Sequence, residues 1–481
     1  MARQKREPRP EGRAGKQLSH AAEGPRKYDG NPGLAGEALK ARGVFAAGDI
    51  VDGLDQISVA MGHGAIAATR AQLAAWAGWP GAAVVWLTGR NRGNGTNDGP
   101  ETFCPRRGRW FPARPTSWRT PMLQQDNCAS VSPPLTVLVT GGAGYIGSNT
   151  ALALLDAGHE VIILDDFSTS DGRLVPPAAR LVRGKAGDRA LVADILGREQ
   201  VSAIMHFAAS ISVADSQGQP ARYYRNNVAT TIDLADAASA AGVGTFILSS
   251  TAGVYGEGEG RPLSEASTLD PVNVYGRSKA MAEATLLDIS AATGMGVGIL
   301  RYFNAAGADP ACRSGQATLH PHHLIEIATQ VATGERATLD IYGTDYPTPD
   351  GTAVRDYVHV ADIAQAHLLV MLAVMRGGGP CIYNVGTGNG SSVQMVIDAL
   401  CAVSQAPVRT RAAGRRAGDP ATLVADSRRL QAELGWQPRY GLEDMLRHAL
   451  AWEQSRQQTA AKPATAKPLP LGRQIFDRVS S

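Results

Sequence analysis

From about Leu135 onward, short β-branched and aliphatic runs alternate with longer amphipathic stretches. The runs are LTVLVT, EVIILD (Glu160 to Asp165), ARLVRG, SAIMHFAA (Ser202 to Ala209), TFILSS (Thr245 to Ser250) and GVGILRYF (Gly296 to Phe303). Runs this short and this uniformly apolar predict strands buried on both faces, with the amphipathic segments between them as covering helices. The alternation predicts an α/β fold built on a doubly wound parallel sheet. Beyond Asn304 the spacing loosens into Gly- and Pro-rich loops, which predicts a smaller C-terminal lobe with segments that return to the sheet domain. The predicted organisation is an irregular, largely disordered extension over 1–134, the sheet domain over 135–304, the lobe over 305–455, and a disordered tail over 456–481 containing AKPATAKPLP.

Before Leu135 the pattern is broken by Arg, Gly and Pro clusters such as GRNRGNG (Gly89 to Gly95) and PRRGRW (Pro105 to Trp110). One island, Gly43 to Thr69, resembles the C-terminal flavin-contacting segment of thioredoxin-reductase-like flavoproteins, with Asp49 at the position that faces the flavin ribityl-phosphate. No glycine-rich strand-turn-helix unit precedes it, so the pyrophosphate of a flavin dinucleotide would have no cradle. The island is read as a fusion remnant or an over-extended start, and FAD is not an expected cofactor.

Composition narrows the classes. The 481 residues are 44% hydrophobic and carry a net charge of only +3. The basic run Arg3, Lys5, Arg6, Arg9, Arg13 and Lys16 is mixed with Pro and Gly and reads as a solvated tail, so no nucleic-acid partner is expected. Five widely spaced cysteines give neither a disulfide framework nor zinc-ligand spacing, which predicts reduced thiols in the cytoplasm and no metal site. Leu73 to Leu87 is uncharged but contains Gly78, Pro80 and Gly81 and is shorter than the roughly 20 residues a bilayer requires, so no membrane partner is expected.

Chemistry enters with TGGAGYIG, Thr140 to Gly147, which follows a strand and opens a helix. Gly141 permits the tight turn, Gly144 lets backbone approach a pyrophosphate, and Gly147 lets helix pack on sheet. The helix N-terminus and its dipole then hold the phosphates. Asp165 ends the next strand 18 residues after Gly147, where a carboxylate accepts from the adenosine ribose and repels a 2′-phosphate. This pattern is Rossmann-type and selects NAD over NADP.

A second constellation is YGRSK, which places Tyr275 and Lys279 on one helical face. Thr251 lies just past a strand end, where open α/β sheets assemble their sites. A phenol titrates near pH 10, and lowering it by about three units takes roughly 4 kcal/mol. One ammonium about 4 Å away supplies that order of magnitude at a surface-like dielectric. Lys279 is therefore expected to draw Tyr275 down and make it a base, with help from a cationic nicotinamide ring.

Together with YYRNNV (Tyr223 to Val228), LRYFNAAG (Leu300 to Gly307), YPTPDGTAVRDYVHV (Tyr346 to Val360) and RRAGDP (Arg415 to Pro420), these motifs resemble the extended short-chain dehydrogenase/reductase superfamily. Within it, some 320 residues are similar to UDP-glucose 4-epimerases. The resemblance implies that Tyr275 is the base, that Lys279 binds the nicotinamide ribose, and that Thr251 bonds the 4-hydroxyl of the sugar. It places Tyr145 and Ile146 of the glycine motif, Phe207 and Ala208, Asn226 and Tyr302 along the NAD. Asn304, His323, Arg355, Arg416 and Asp419 would bind the nucleotide sugar, two arginines suiting a diphosphate by forked hydrogen bonds. The implied reaction oxidises C4 of a UDP-sugar to a ketone and returns the hydride to the other face after the ketone rotates, so NAD is regenerated within each cycle. A homodimer is implied as well.

Three positions depart from the family pattern. Lys185 stands where an Asp or Asn meets the adenine, Ile211 where some members have lysine, and Leu423 where some have a tyrosine that narrows the sugar pocket. Three rivals to interconversion of UDP-glucose and UDP-galactose follow from the same motifs. The first is epimerisation of another UDP-sugar, such as UDP-N-acetylglucosamine or a UDP-pentose. The second is 4,6-dehydration, which uses an Asp-Glu pair after the threonine where this chain has Ala252 and Gly253. The third is a non-catalytic NAD-binding protein, since fold does not fix function.

Overall fold

The structure, a computed structural model, describes residues 101–104, 109–112, 134–170, 172–257, 260–318, 321, 323–416 and 418–461. The chain divides into Met1–Arg119 and Thr120–Ser481. In the first unit the described residues form one antiparallel hairpin, Glu101–Cys104 with Arg109–Pro112. The flavin-like island and the basic run lie outside the described residues.

The second unit opens with β1 (Thr136–Thr140), α1 (Tyr145–Asp156), β2 (Glu160–Asp165), β3 (Arg180–Arg183), α2 (Arg189–Arg198) and β4 (Val201–His206). Two short helices follow, α3 (Val213–Gly218) and α4 (Pro220–Tyr224), and a π-helical turn over Arg225–Ala229 leads into α5 (Thr230–Ala240). Next come β5 (Thr245–Thr251), α6 (Val274–Thr293) and β6 (Gly296–Tyr302). The lobe begins with β7 (Asn304–Ala306), α7 (Leu324–Ala332), β8 (Leu339–Tyr342) and β9 (Val354–His359). After it come α8 (Val360–Ala373), β10 (Cys381–Val385), β11 (Gly390–Ser392), α9 (Val393–Ser404), β12 (Thr410–Ala413), β13 (Thr422–Leu423), α10 (Arg428–Leu434) and α11 (Leu442–Ala461).

Seven strands form one parallel sheet in the order β10-β6-β5-β4-β1-β2-β3. The order reverses between β1 and β4, and that switch point opens a crevice at the carboxyl ends of the strands. This is the Rossmann-type sheet the hydrophobic pattern predicts. Side chains such as Val137, Val139, Ile163 and Met205 pack against α1, α8 and α10 on one face, while Leu138, Ile162, Ile204 and Phe246 pack against α2, α5 and α6 on the other. Local signals set the helix ends. Asp188 accepts from Leu191 N to cap α2, Asn273 accepts from Gly276 N to cap α6, and α6 stops at Gly294 in the left-handed conformation at φ 79°.

The lobe is organised on β9, which pairs β11 antiparallel and β13 and β7 parallel. A parallel pair, β8 with β12, lies beside helices α7, α9 and α11, which close a third apolar core around Ile325, Val396, Leu400 and Leu446. The segment Val360–Gly378 is long and apolar enough to cross a membrane by length and composition. Its Ile363, Ala366, Val370 and Met371 are nevertheless buried in the sheet core, which makes it an interior helix here. At the C-terminus α11 runs to Ala461, past the point after Glu453 where the sequence pattern predicts an unstructured tail. The extra turns are held by Arg456 on Glu453 at 2.8 Å and by Gln457 donating to Thr333 at 2.7 Å.

Candidate active site

The glycine loop is built by what its residues lack. Gly141 has φ +71°, and a Cβ there would lie 2.6 Å from Ala208 N. A Cβ on Gly147 would lie 2.3 Å from Gly141 O. Both positions exclude any side chain. The N-terminus of α1 has no side-chain cap on its Gly144 and no acid in its first turn, so its backbone NH groups and dipole face the crevice without a competing anion. Asp165 fixes this loop: one oxygen accepts from Ala143 N at 3.0 Å and the other from Phe167 N at 2.8 Å. Burial raises its pKa while both backbone bonds lower it, and each oxygen keeps acceptor capacity for a ribose hydroxyl. A dinucleotide with a free 2′-hydroxyl fits this arrangement. Beside it lie Ile146 and Phe207, both packed on the sheet core, and Asn226, which donates to Ser210 Oγ at 3.1 Å. Lys185, at the end of β3, is exposed, and so is Ile211.

Three consecutive residues at the end of β5 place the reacting groups. Ser249 Oγ meets the Tyr302 hydroxyl at 2.5 Å, Ser250 donates to Glu283, and the Thr251 hydroxyl lies beside the Tyr275 phenol. Thr251 also accepts from Gly253 N at 3.1 Å, which fixes its rotamer. Lys279 sits one turn beyond Tyr275 and is 3% exposed. Burial pushes the Tyr275 phenol up to about 12, against a lowering by the Thr251 hydroxyl. Burial draws the Lys279 ammonium down to about 8, against a raising by Glu283. Desolvation is thus the largest influence on the phenol and raises it, the opposite sense to the lowering expected from Lys279 and a cationic nicotinamide ring together.

On the lobe side, Arg355 is buried and pairs with a partly exposed acid: Nη2 meets Asp419 at 3.1 Å and Nη1 donates to Val354 O at 2.9 Å. Arg355 is the register partner of Leu423, and Asn304 pairs with Tyr357 on the same strand β9. Leu423 packs with Ala252, Val254, Tyr255 and Phe303, so the lobe sheet meets the turn that follows Thr251. Arg416 is exposed and stacks on the Tyr342 ring at 3.7 Å, while His323 is half-buried just before α7. The structure thus gathers Tyr275, Thr251, Lys279 and Tyr302 at the ends of β5, β6 and the start of α6, and places Asn304 and Arg355 on the paired strands β7 and β9, with Asp419 bonded to Arg355 from a loop. No group of three or more His, Cys, Asp or Glu able to hold a metal occurs among the described residues.

Sequence reading missed the residues behind the cluster. Glu283, Arg301, Tyr255 and Asn384 form a buried polar network under β5, and Asn227 holds Ser210 through both its backbone groups and donates to Ser278 Oγ at 2.9 Å. The available signal was a carboxylate four residues after Lys279, among other polar residues of the helix, and an arginine directly before Tyr302 within an otherwise apolar strand.

A glycine cradle at the switch point, a strand-end carboxylate and a Thr-Tyr-Lys cluster together define a nicotinamide-dependent enzyme of the extended dehydrogenase/reductase type. The chain belongs to the NAD dependent epimerase/dehydratase family, which matches residues 137–386. It is 47% identical over 327 residues to UDP-glucose 4-epimerase of Azospirillum brasilense, covering 68% of this chain and 94% of that one. Among solved structures it is similar to UDP-glucose 4-epimerase from Brucella ovis in complex with NAD, at 38% identity and TM-score 0.64, covering 66% of this chain and 98% of that one. It is also similar to the enzyme from Bifidobacterium longum in complex with NAD+ and UDP, at 34% identity and TM-score 0.63, covering 67% and 99%.

Proposed function

We propose that this enzyme interconverts UDP-glucose and UDP-galactose by inverting the sugar 4-hydroxyl. The observation that carries the reading is the placement of Thr251 beside the Tyr275 phenol, with Lys279 one turn further along the same helix, together with the glycine cradle. NAD, when bound, supplies the two-electron acceptor and donor for C4 and a positive ring charge near the phenol. Everything else is done by the chain. Thr251 orients the 4-hydroxyl and Tyr275 takes its proton as C4 is oxidised, then returns it when the ketone is reduced on its other face. Lys279 holds positive charge at the phenolate in a site closed to water, where such charge acts most strongly. Arg355 and Arg416 take the diphosphate, with Asp419 fixing the first guanidinium.

Ala252, 3% exposed in the turn after Thr251, and Gly253 offer no acid to expel water from C6, which favours epimerisation over dehydration. Leu423 supports a second substrate, UDP-N-acetylglucosamine, because a leucine there leaves room that a tyrosine would fill. Homodimerisation belongs to the same reading: Ile232 on α5 and Met281 on α6 are apolar and 38% and 50% exposed on neighbouring helices. The unpaired thiols of Cys312, Cys381 and Cys401 support a cytoplasmic setting.

The test is incubation of purified protein with UDP-galactose, UDP-N-acetylgalactosamine and UDP-pentoses without added NAD. Formation of UDP-glucose from UDP-galactose is expected. Absence of conversion of any of them would overturn the assignment, and a stronger preference for another UDP-sugar would replace its substrate.

A further inference from the structure

Glu283 is a buried carboxylate that the reaction as written does not use. It is 2% exposed and lies one turn beyond Lys279 on α6. Arg301 on β6 grips it, with Nη2 to Oε2 at 2.6 Å and Nε to both oxygens at 3.1 Å. Ser250, the neighbour of Thr251, donates to its Oε1. From Arg301 the network continues to the Tyr255 hydroxyl at 3.0 Å and from there to Asn384 at 2.7 Å. A buried ion pair contributes little stability compared with apolar residues of the same volume, so its position calls for another account.

We infer that Glu283 is a positioning residue for the reaction, standing one helical turn from Lys279 and tying, through Ser250 and Arg301, the strand that carries Thr251 to the helix that carries Tyr275 and Lys279. This rests on the epimerase reading. Tyr275 and Glu283 share the helix of Lys279, and His206 of β4 feels its charge; Tyr302 of β6 and Tyr223 of α4 act on Tyr275, and Arg301 of β6 pairs with Glu283. His206 is held neutral by burial and by Lys279, its pKa falling to about 3. Glu283 is thus the carboxylate that opposes the desolvation of Lys279. Without it Lys279 loses its proton at lower pH, and the charge that stabilises the Tyr275 phenolate goes with it.

The test compares wild type, Glu283→Gln, Ser250→Ala and the double variant Glu283→Met/Arg301→Met, which removes both buried charges so that none is left unpaired. Two readouts are taken on the protein as purified: the pH profile of kcat with UDP-galactose, and the titration of the Lys279 side chain by NMR of 13C-labelled lysine, assigned with Lys279→Arg. In Glu283→Gln the alkaline limb of kcat and the Lys279 titration are expected to move down by about one pH unit or more, roughly a tenfold loss of kcat on the alkaline side; in the double variant the shift has the same sign and is smaller, since loss of the Arg301 charge offsets part of it. In Ser250→Ala the Lys279 titration stays within about 0.3 unit of wild type, since the carboxylate remains. If the Lys279 titration overlays that of wild type in Glu283→Gln, or in the double variant where the single one does not fold, the inference is overturned. A wild type with no turnover would sink the epimerase reading instead, while the NMR titration would still report on Glu283.

Discussion

The phenol of Tyr145, the first residue of the cofactor helix α1, donates to the carbonyl of Gly307 in the lobe at 2.7 Å. Other residues of α1 grip the same loop. Ser148 meets Ser314 at 2.6 Å, Asn149 donates to Ser314 at 3.3 Å, and Asp156 takes both guanidinium nitrogens of Arg313 at 2.8 Å. The loop leaves β7, which carries Asn304, so the helix proposed to hold the pyrophosphate is braced against the segment proposed to hold the sugar nucleotide. Tyr145→Phe leaves a buried carbonyl without its donor and is expected to cost about 1–2 kcal/mol of stability. It should raise KM for UDP-galactose several-fold with little change in kcat or in NAD content. A fall in kcat at constant KM would contradict the bracing role.

Tyr275→Phe removes the proton acceptor and leaves the glycine cradle and Asp165 untouched. Turnover should fall by roughly a hundredfold or more, while nicotinamide dinucleotide released on denaturation stays at the wild-type amount. Near-normal turnover in this variant would show that another group takes the proton.

Three buried histidines make stability depend on pH. Burial lowers His206 and His359 to about 3 and His367 to about 4, whereas in the unfolded chain each titrates near 6.5. Between these values the unfolded chain binds more protons, so stability falls on acidification by roughly 1.4 kcal/mol per pH unit for each histidine. Glu453 acts in the opposite sense. Burial and the neighbouring Glu335 raise it to about 7, so the fold binds its proton first and gains stability as pH drops toward 4.5. Among the groups shifted most, three histidines outweigh one glutamate, so stability falls between pH 6 and 5. Urea midpoints should fall from pH 7 to pH 5.5, with a shallower slope in His367→Gln; a midpoint that rises on acidification would reverse the sign argued here.

The sheet and the glycine loop were legible because their signals are local. EVIILD reads as a strand and is one, Glu160–Asp165, because every side chain between its end residues is buried. The seventh strand, Cys381–Val385, was not legible, since its partner β6 lies some 80 residues earlier and nothing in CIYNV names it. Tyr275, Lys279 and Thr251 could be found by spacing, but the sign of the Tyr275 shift could not, because spacing carries no measure of desolvation. Glu283 and Arg301 escaped for a related reason. A charge inside an apolar run is visible in sequence, but its partner on another element is not.

Leu423 offers the sharpest test of sugar choice. It lies opposite Arg355 in register and is 9% exposed, enclosed by Ala252, Val254, Tyr255, Leu263, Phe303 and Ala425. The ring and hydroxyl of Leu423→Tyr must therefore displace a neighbour, at roughly 1–3 kcal/mol, or enter the space beside the sugar. On the proposed reading leucine leaves that space to a 2-acetamido group, but room alone gives no affinity. An amide taken out of water without partners for its NH and C=O costs about 1–3 kcal/mol, or roughly ten- to a hundredfold in binding. UDP-N-acetylglucosamine is accordingly expected to turn over more slowly than UDP-galactose in the wild type. In Leu423→Tyr the ratio of kcat/KM for the acetamido sugar to that for UDP-galactose should fall by about tenfold more, since one lost pocket contact of this size is worth about 1.4 kcal/mol. Thermal unfolding of the variant separates the two routes for the ring. A lowered Tm with an unchanged ratio would mean that the tyrosine displaced its neighbours, and Leu423 would then be a core residue with no part in sugar choice.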